Sequence, residues 1–142
     1  IARLRGALSI PVIASGDVVD ADAWREIVKI TGCAAVMIGR GAFGRPWIFA
    51  DIRDALAGRA PAPRPVRESV ETIVRLARGE AAYKGEHRAV IEMRKHYRWF
   101  LRGIAGAREY RARLTGAETL VGVEEILAEL IDTMEERCTG TD

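Results

Sequence analysis

Residues 10–49 read IPVIASGDVVDADAWREIVKITGCAAVMIGRGAFGRPWIF. Ile10, Val12 and Ile13 form a continuous apolar, β-rich run, the pattern of a strand buried on both faces. Ser15-Gly16-Asp17 breaks it. Asp20 can cap a helix from Ala21 to about Ile30, and Gly32 stops that helix. Ala35 to Ile38 is a second buried run, followed at once by Gly39-Arg40-Gly41. A further helix is expected near Arg45-Pro46, with proline in the first turn, where its missing N–H costs little. Two parallel strands joined by a helical crossover are implied.

Both glycine turns then fall at the carboxyl ends of their strands, the edge that holds ligands in parallel α/β folds. Glycine lets backbone N–H groups approach an anion closely. Arg40 adds a planar charged fork that fits a phosphate. The competing reading is that the glycines only permit tight turns while Arg40 pairs with Asp17 across the gap. Two such turns on adjacent strands favour a phosphate cradle over a lone G-x-G.

The chain has 142 residues, enough for one ordinary domain but short of the roughly 250 of a (β/α)8 barrel. Two parallel strands alone leave two open edges and little sheet core. The first residue is Ile1, so the simplest expectation is the carboxyl-terminal part of a longer protein, with six strands preceding it. No run approaches the roughly 18 apolar residues that span a bilayer. Cys33 and Cys138 show neither metal-ligand spacing nor a disulfide framework, which fits a reducing cytoplasm and no metal.

Beyond the strands the pattern turns helical. Ile1, Leu4 and Leu8 suit the end of a helix. A helix from about Trp47 to Ala57 would pack through Ile48, Phe49, Ile52 and Leu56. Gly58 to Pro65 reads GRAPAPRP, which neither continues a helix nor joins a central strand. The expected organisation is therefore an α/β segment over residues 1–58, a proline-rich linker over 59–65, and an all-α domain over 66–142. Four helices are expected in that domain: Val66 to Lys84, weakened or split at Gly79; Glu86 to about Leu101 or Ile104; Ala107 to Leu114; and Val123 to Arg137. Short glycine turns between them suggest a small antiparallel bundle.

Net charge is only +2, but it is unevenly spread. From Arg64 to Arg113 there are 13 Lys and Arg against 6 Asp and Glu; from Leu114 to Asp142 there is 1 against 8. On the second bundle helix Arg88, Lys95, Arg98 and Arg102 recur on one side, with Arg94 and His96 nearby. Such a face can track a phosphate backbone, and Trp99 and Phe100 offer rings for stacking. It can equally be a solvated helix face, or be cancelled by the acidic last helix.

The residues Ile10-Pro11-Val12-Ile13, Gly16-Asp17, Thr31-Gly32-Cys33, Val36 to Gly41, Gly44 and Pro46 to Phe49 together resemble the tRNA-dihydrouridine synthase family, close to its bacterial B-type branch. The resemblance implies an FMN-holding (β/α)8 TIM barrel followed by a helical domain that embraces tRNA. The implied activity is reduction of particular tRNA uridines to dihydrouridine, by FMN that NADPH reduces, in a cytoplasmic and monomeric enzyme. This chain would be the last two βα units of the barrel and the helical domain after it. The resemblance places flavin contacts at Ser15, Gly16, Asp17, Gly39, Arg40 and Gly41, with the Gly39-Arg40 turn at the flavin phosphate. Ser15 departs from the family's Asn and offers one donor where an amide offers two. Arg94-Lys95-His96, followed by Trp99-Phe100, Gly103 and Arg111, resembles the helical-domain pattern and implies RNA contacts from Arg94, Lys95, His96 and Arg98. The family's general acid, a cysteine, lies earlier in the barrel, so neither cysteine here matches it and these 142 residues alone are expected to be inactive. The alternatives are another FMN barrel acting on a small molecule, which leaves the basic helices unexplained, or an inactive RNA-binding remnant.

Overall fold

A computed structural model of the chain describes residues 1–139, with side chains through Arg137; the Cys138 side chain lies outside the described part. The described chain is mostly helical with one two-stranded parallel sheet. It divides into two compact units, residues 1–63 and 64–142.

In the first unit, α1 (Ala2–Ala7) precedes β1 (Ile13–Gly16), α2 (Ala21–Thr31) and β2 (Ala35–Ile38). A 3-10 turn (Arg40–Ala42) and α3 (Ile48–Leu56) follow. The strands pair in parallel, Ile13 with Ala35 through Gly16 with Ile38. Strand β1 starts later than the apolar run suggested. Pro11 has no N–H for a ladder, and Val12 contributes only its carbonyl, which accepts from the Ala34 amide at 2.9 Å. Ser15 and Gly16 belong to the strand rather than to the turn, which opens at Asp17.

Crossover helix α2 is delimited by its own sequence. The Asp20 carboxylate accepts from the Ala23 amide at 2.8 Å, and Gly32 closes the helix with φ +60°. Its apolar face, with Trp24 and Ile27, packs with Val36, Ile38, Ala42, Ile48 and Ile52 around buried Val18. Arg25 ties α2 to α3 by donating to the Ala55 carbonyl at 2.9 Å.

The expected burial on both faces of the strands does not hold. Ala14 is buried, and Val36 and Ile38 are half-buried on the helix side, but Ile13 is 63 % exposed and Met37 57 %. Only one helical layer covers this sheet among the described residues, so alternate side chains face outward. Helix α3 matches the expected range of about Trp47 to Ala57, with those two residues as its caps, but Pro46 is not in its first turn. The chain first makes the 3-10 turn and a glycine turn at Gly44, φ +69°, leaving Pro46 ahead of the helix. Of its expected packing stripe, Ile48 and Ile52 are buried, whereas Phe49 is 55 % exposed.

The second unit holds α4 (Val66–Lys84), α5 (Glu86–Phe100), α6 (Ala107–Gly116) and α7 (Leu120–Thr139). Helix α4 lies against α5 and α7, and α6 against the same two. They share one core of Val70, Ile73, Met93, Tyr97, Leu101, Leu114, Leu127 and Leu130, among others. Gly79 does not split α4. It sits on the exposed face, where a glycine costs about 1 kcal/mol and the buried stripe outweighs it. A single residue, Gly85 at φ +84°, turns α4 into α5. The start of α7 is capped from another helix, because the Leu120 amide donates to the Glu86 carboxylate at 2.7 Å.

Candidate functional site

The parallel register places Gly16 beside Ile38, so both βα turns open at one edge. Ser15, Gly16, Asp17, Gly39 and Arg40 are all exposed there, and Gly41 is half-buried. Ser15 alternates with buried Ala14 and so belongs to the uncovered face of the sheet.

The two turns touch through Gly41. A Cβ on Gly41 would land well inside contact distance of the Val18 carbonyl oxygen, 3.2 Å from the Val18 carbonyl carbon and 3.4 Å from Ile38 Cγ2. Glycine is needed here for the second turn to lie on the first. At Gly39, by contrast, a Cβ would meet nothing within 4 Å, so the backbone is open to approach from outside. The residues at the start of the 3-10 turn carry amides that lack an intrahelical acceptor.

Arg40 bonds Asp17 through Nη2 at 2.5 Å, the cross-gap pair that stood as the alternative to a phosphate cradle. Both side chains are nearly four-fifths exposed, so water screens the pair and it contributes little stability. A guanidinium carries five N–H donors, which leaves donors for a second anion beside the carboxylate. The edge therefore fits a phosphate group: bare backbone at Gly39, an exposed cation at Arg40, and a glycine contact fixing the turns together.

On α5 the R-K-H triplet is split three ways. Arg94 is half-buried, with Nη2 donating to the Ala117 carbonyl at 3.4 Å and Nε buried without a hydrogen-bond partner. Lys95 is exposed. His96 is half-buried; burial, then the charge of Lys95, push its imidazole below the usual pKa against a weaker pull from Glu80, so it is neutral near pH 7. Arg98 is exposed and lies over the Trp99 ring at 5.2 Å from its centroid. Phe100 is buried in the core and presents no ring face to a base. Tyr97 is also fully buried, and burial raises its hydroxyl pKa to about 12.

Arg88 is not available as the basic face required. It bonds Glu92 at 2.7 Å, and Glu92 also takes Lys84 at 2.8 Å. These two cations hold the Glu92 carboxyl down to about 2. The acidic last helix does not cancel α5. Its Glu124, Glu129 and Glu135 instead pair with Arg78 and Arg67 of α4 and Arg113 of α6. Among the described residues Lys95, Arg98 and Arg102 make no ion pair. The sequence reading passed over Tyr83, an aromatic off every apolar stripe and 85 % exposed; that mismatch with the helical period was the available signal.

Among the described residues no helix is long and apolar enough to cross a membrane, and no group of three His, Cys, Asp or Glu could hold a metal ion.

Fold and site together define an α/β segment with paired glycine turns at the carboxyl edge of a parallel sheet, joined to a helical unit whose α5 exposes Lys95 and Arg98 without ion pairs. The family model for dihydrouridine synthase (Dus) matches residues 1–136, and the chain belongs to that family. A probable tRNA-dihydrouridine synthase of Mycobacterium leprae is 38 % identical over 123 residues, covering 86 % of this chain and 32 % of that protein. The tRNA-dihydrouridine synthase B of Xanthomonas campestris pv. campestris is 38 % identical over 120 residues, covering 84 % and 36 %. That of Pseudomonas syringae pv. tomato is 35 % identical over 144 residues, covering 100 % and 42 %. The chain thus spans roughly a third of the length of these relatives.

Proposed function

We propose that this chain supplies the flavin-phosphate end of the active site, and part of the RNA grip, in a tRNA-dihydrouridine synthase of the B type. In this reading the α/β segment is the last two βα units of an FMN-holding (β/α)8 barrel, and the helices from Val66 onward form its tRNA-binding domain. Bound FMN, replenished by NADPH, would supply the hydride that saturates a tRNA uracil ring. The enzyme would act in the cytoplasm as a monomer and need no metal.

The carrying observation is the pair of glycine turns locked together at one strand edge through Gly41, with Arg40 beside open backbone at Gly39. Ser15 and Gly16 at the end of β1, and Asp17 in the turn after it, would line the same flavin. Their tasks are to bind and orient: the Gly39–Gly41 backbone would donate to the phosphate, while the Arg40 guanidinium would exchange part of its contact with Asp17 for it. Lys95 and Arg98 would hold RNA phosphates from the exposed face of α5. Arg94 and His96, more enclosed, would set the shape of that face.

The test is Arg40→Met in the protein as the gene encodes it, with FMN affinity read by quenching of flavin fluorescence. Loss of a charge-assisted phosphate contact should weaken FMN at least tenfold, given about 1.5–3 kcal/mol for a hydrogen bond to a charged group. Unchanged FMN affinity would refute the assignment of the phosphate to this turn.

A further inference from the structure

The α4–α5 hairpin ends in a side chain the foregoing reading does not use. Tyr83 stands in the last turn of α4, two residues before Gly85. It is 85 % exposed and makes no hydrogen bond, ion pair or ring contact among the described residues. Aromatic side chains are among the largest contributors of apolar burial, so one left wholly in water is a surface with something to offer.

The ring is not on a fraying end. Lys84 pairs with Glu80 at 2.5 Å and with Glu92 at 2.8 Å, and Glu92 pairs with Arg88 at 2.7 Å. This lattice ties the last turn of α4 to the first turns of α5, and Gly85 closes the corner at φ +84°. The hairpin tip is thereby braced, and Tyr83 projects from it.

Helix α5 contributes an independent observation. His87, Ile91, Lys95 and Arg98 recur at spacings of three and four, and all four are exposed, as is Arg102 just past the end of the helix. Four residues separate Tyr83 from His87, which limits the distance between their backbones to about 14 Å. From His87 the helix rises about 12 Å to Lys95 and about 16 Å to Arg98, on the order of four to five steps of a nucleic-acid strand at 3.4 Å each. Cations alone attract any polyanion. A flat, unpartnered ring on the same hairpin as the cations Lys95 and Arg98 suits a partner that carries both phosphates and bases.

We infer that Tyr83 stacks on an unpaired base of the RNA whose phosphates the α5 stripe holds. This rests on the tRNA reading above and adds to it a contact that distinguishes unpaired RNA from duplex. Inside a duplex every base face is already stacked, so away from its two ends the ring has nothing to take.

The experiment uses the protein as the gene encodes it, with two probes: an unmodified tRNA transcript, and a blunt RNA duplex of equal length. Dissociation constants are measured over a range of salt for Tyr83→Ala, Tyr83→Phe and a Lys95→Gln/Arg98→Gln double variant. Tyr83→Ala should weaken tRNA binding about tenfold, within the range for losing one base–aromatic stack, with the salt slope and the duplex affinity unchanged. Tyr83→Phe should bind as the parent does. The double variant should flatten the salt slope by about two for both RNAs. If the double variant flattens the slope but Tyr83→Ala leaves tRNA affinity within twofold of the parent, the stacking inference fails and the tRNA reading stands. Equal weakening of both RNAs by Tyr83→Ala, or a Phe variant as weak as Ala, also overturns stacking. If the double variant changes nothing, the RNA role of α5 falls, and the stacking inference with it.

Discussion

Gly41→Ala tests the junction on which the site depends. A single added methyl would meet Ile38 Cγ2 at 3.4 Å and the Val18 carbonyl carbon at 3.2 Å, with the carbonyl oxygen much nearer. A relaxed carbon–oxygen approach is about 3.3–3.6 Å, so the second turn must retreat from the first by on the order of 1 Å. The obstacle is backbone, not a flexible side-chain end, and Val18 itself is fully buried between the elements. Overpacking of this kind costs about 1–3 kcal/mol. Gly39→Ala is the matched control, because a Cβ there meets open space. Urea unfolding at constant m-value should therefore show Gly41→Ala destabilised by about 1–3 kcal/mol and Gly39→Ala within about 0.5 kcal/mol of the parent, as for surface substitutions away from special features. Equal midpoints for Gly41→Ala and the parent would refute the reasoning, as would an equal loss in both variants. The first result would mean that the turns are not in backbone contact, the second that glycine is required for conformation rather than closeness.

Three further outcomes are expected. Glu92 is held at about 2, below its ordinary 4.5, first by Lys84 and then by Arg88; its contribution is present above pH 4.5 and is lost as pH falls through 2. Glu92→Gln should therefore unfold with less pH dependence than the parent across that window, measured by urea midpoints at stepped pH. Glu86→Ala removes the carboxylate that takes the first amide of α7 and should cost about 1 kcal/mol, the usual value of a helix cap, in chemical denaturation. Arg94→Gln should lower stability, since Arg94 reaches the Ala117 carbonyl from a half-buried position, whereas Lys95→Gln should leave stability unchanged and, on the tRNA reading, weaken RNA binding with a salt slope reduced by about one; the reverse pattern would exchange their roles.

Much of the first unit was legible because its signals are local. Asp20 and Gly32 bracket α2 by capping chemistry that needs no tertiary context, and the two βα turns were visible as glycines after apolar runs. The beginning of β1 and the place of Pro46 outside α3 were not. Strand limits depend on which partner amides are in register, and Pro46 is held ahead of the helix by the glycine turn at Gly44. Burial on both faces was inferred from an unbroken apolar run, yet such a run reports what a strand can tolerate rather than what covers it. The R-K-H triplet shows the same limit on the helical side. Three adjacent polar residues point 100° apart around α5, so they cannot share one surface, and a pattern that names them together leaves their division between core and solvent to the packing.

The division of charge in the second unit follows from that packing. The sequence shows a basic segment and an acidic one and permits complete cancellation. Cancellation instead takes place along the seams of α7 with α4 and α6, where Glu124, Glu135 and Glu129 meet Arg78, Arg67 and Arg113. Pairs this exposed contribute little to stability, so their main physical effect is on the field outside. They neutralise Arg67, Arg78 and Arg113 beside α7 and leave Lys95 and Arg98 of α5, with Arg102 just beyond it, without an ion pair. The cations left without an ion pair are unevenly placed, so the long-range attraction for a polyanion has a direction. Orientation of an RNA would thus be set before any close contact forms, by acidic residues that need not touch it.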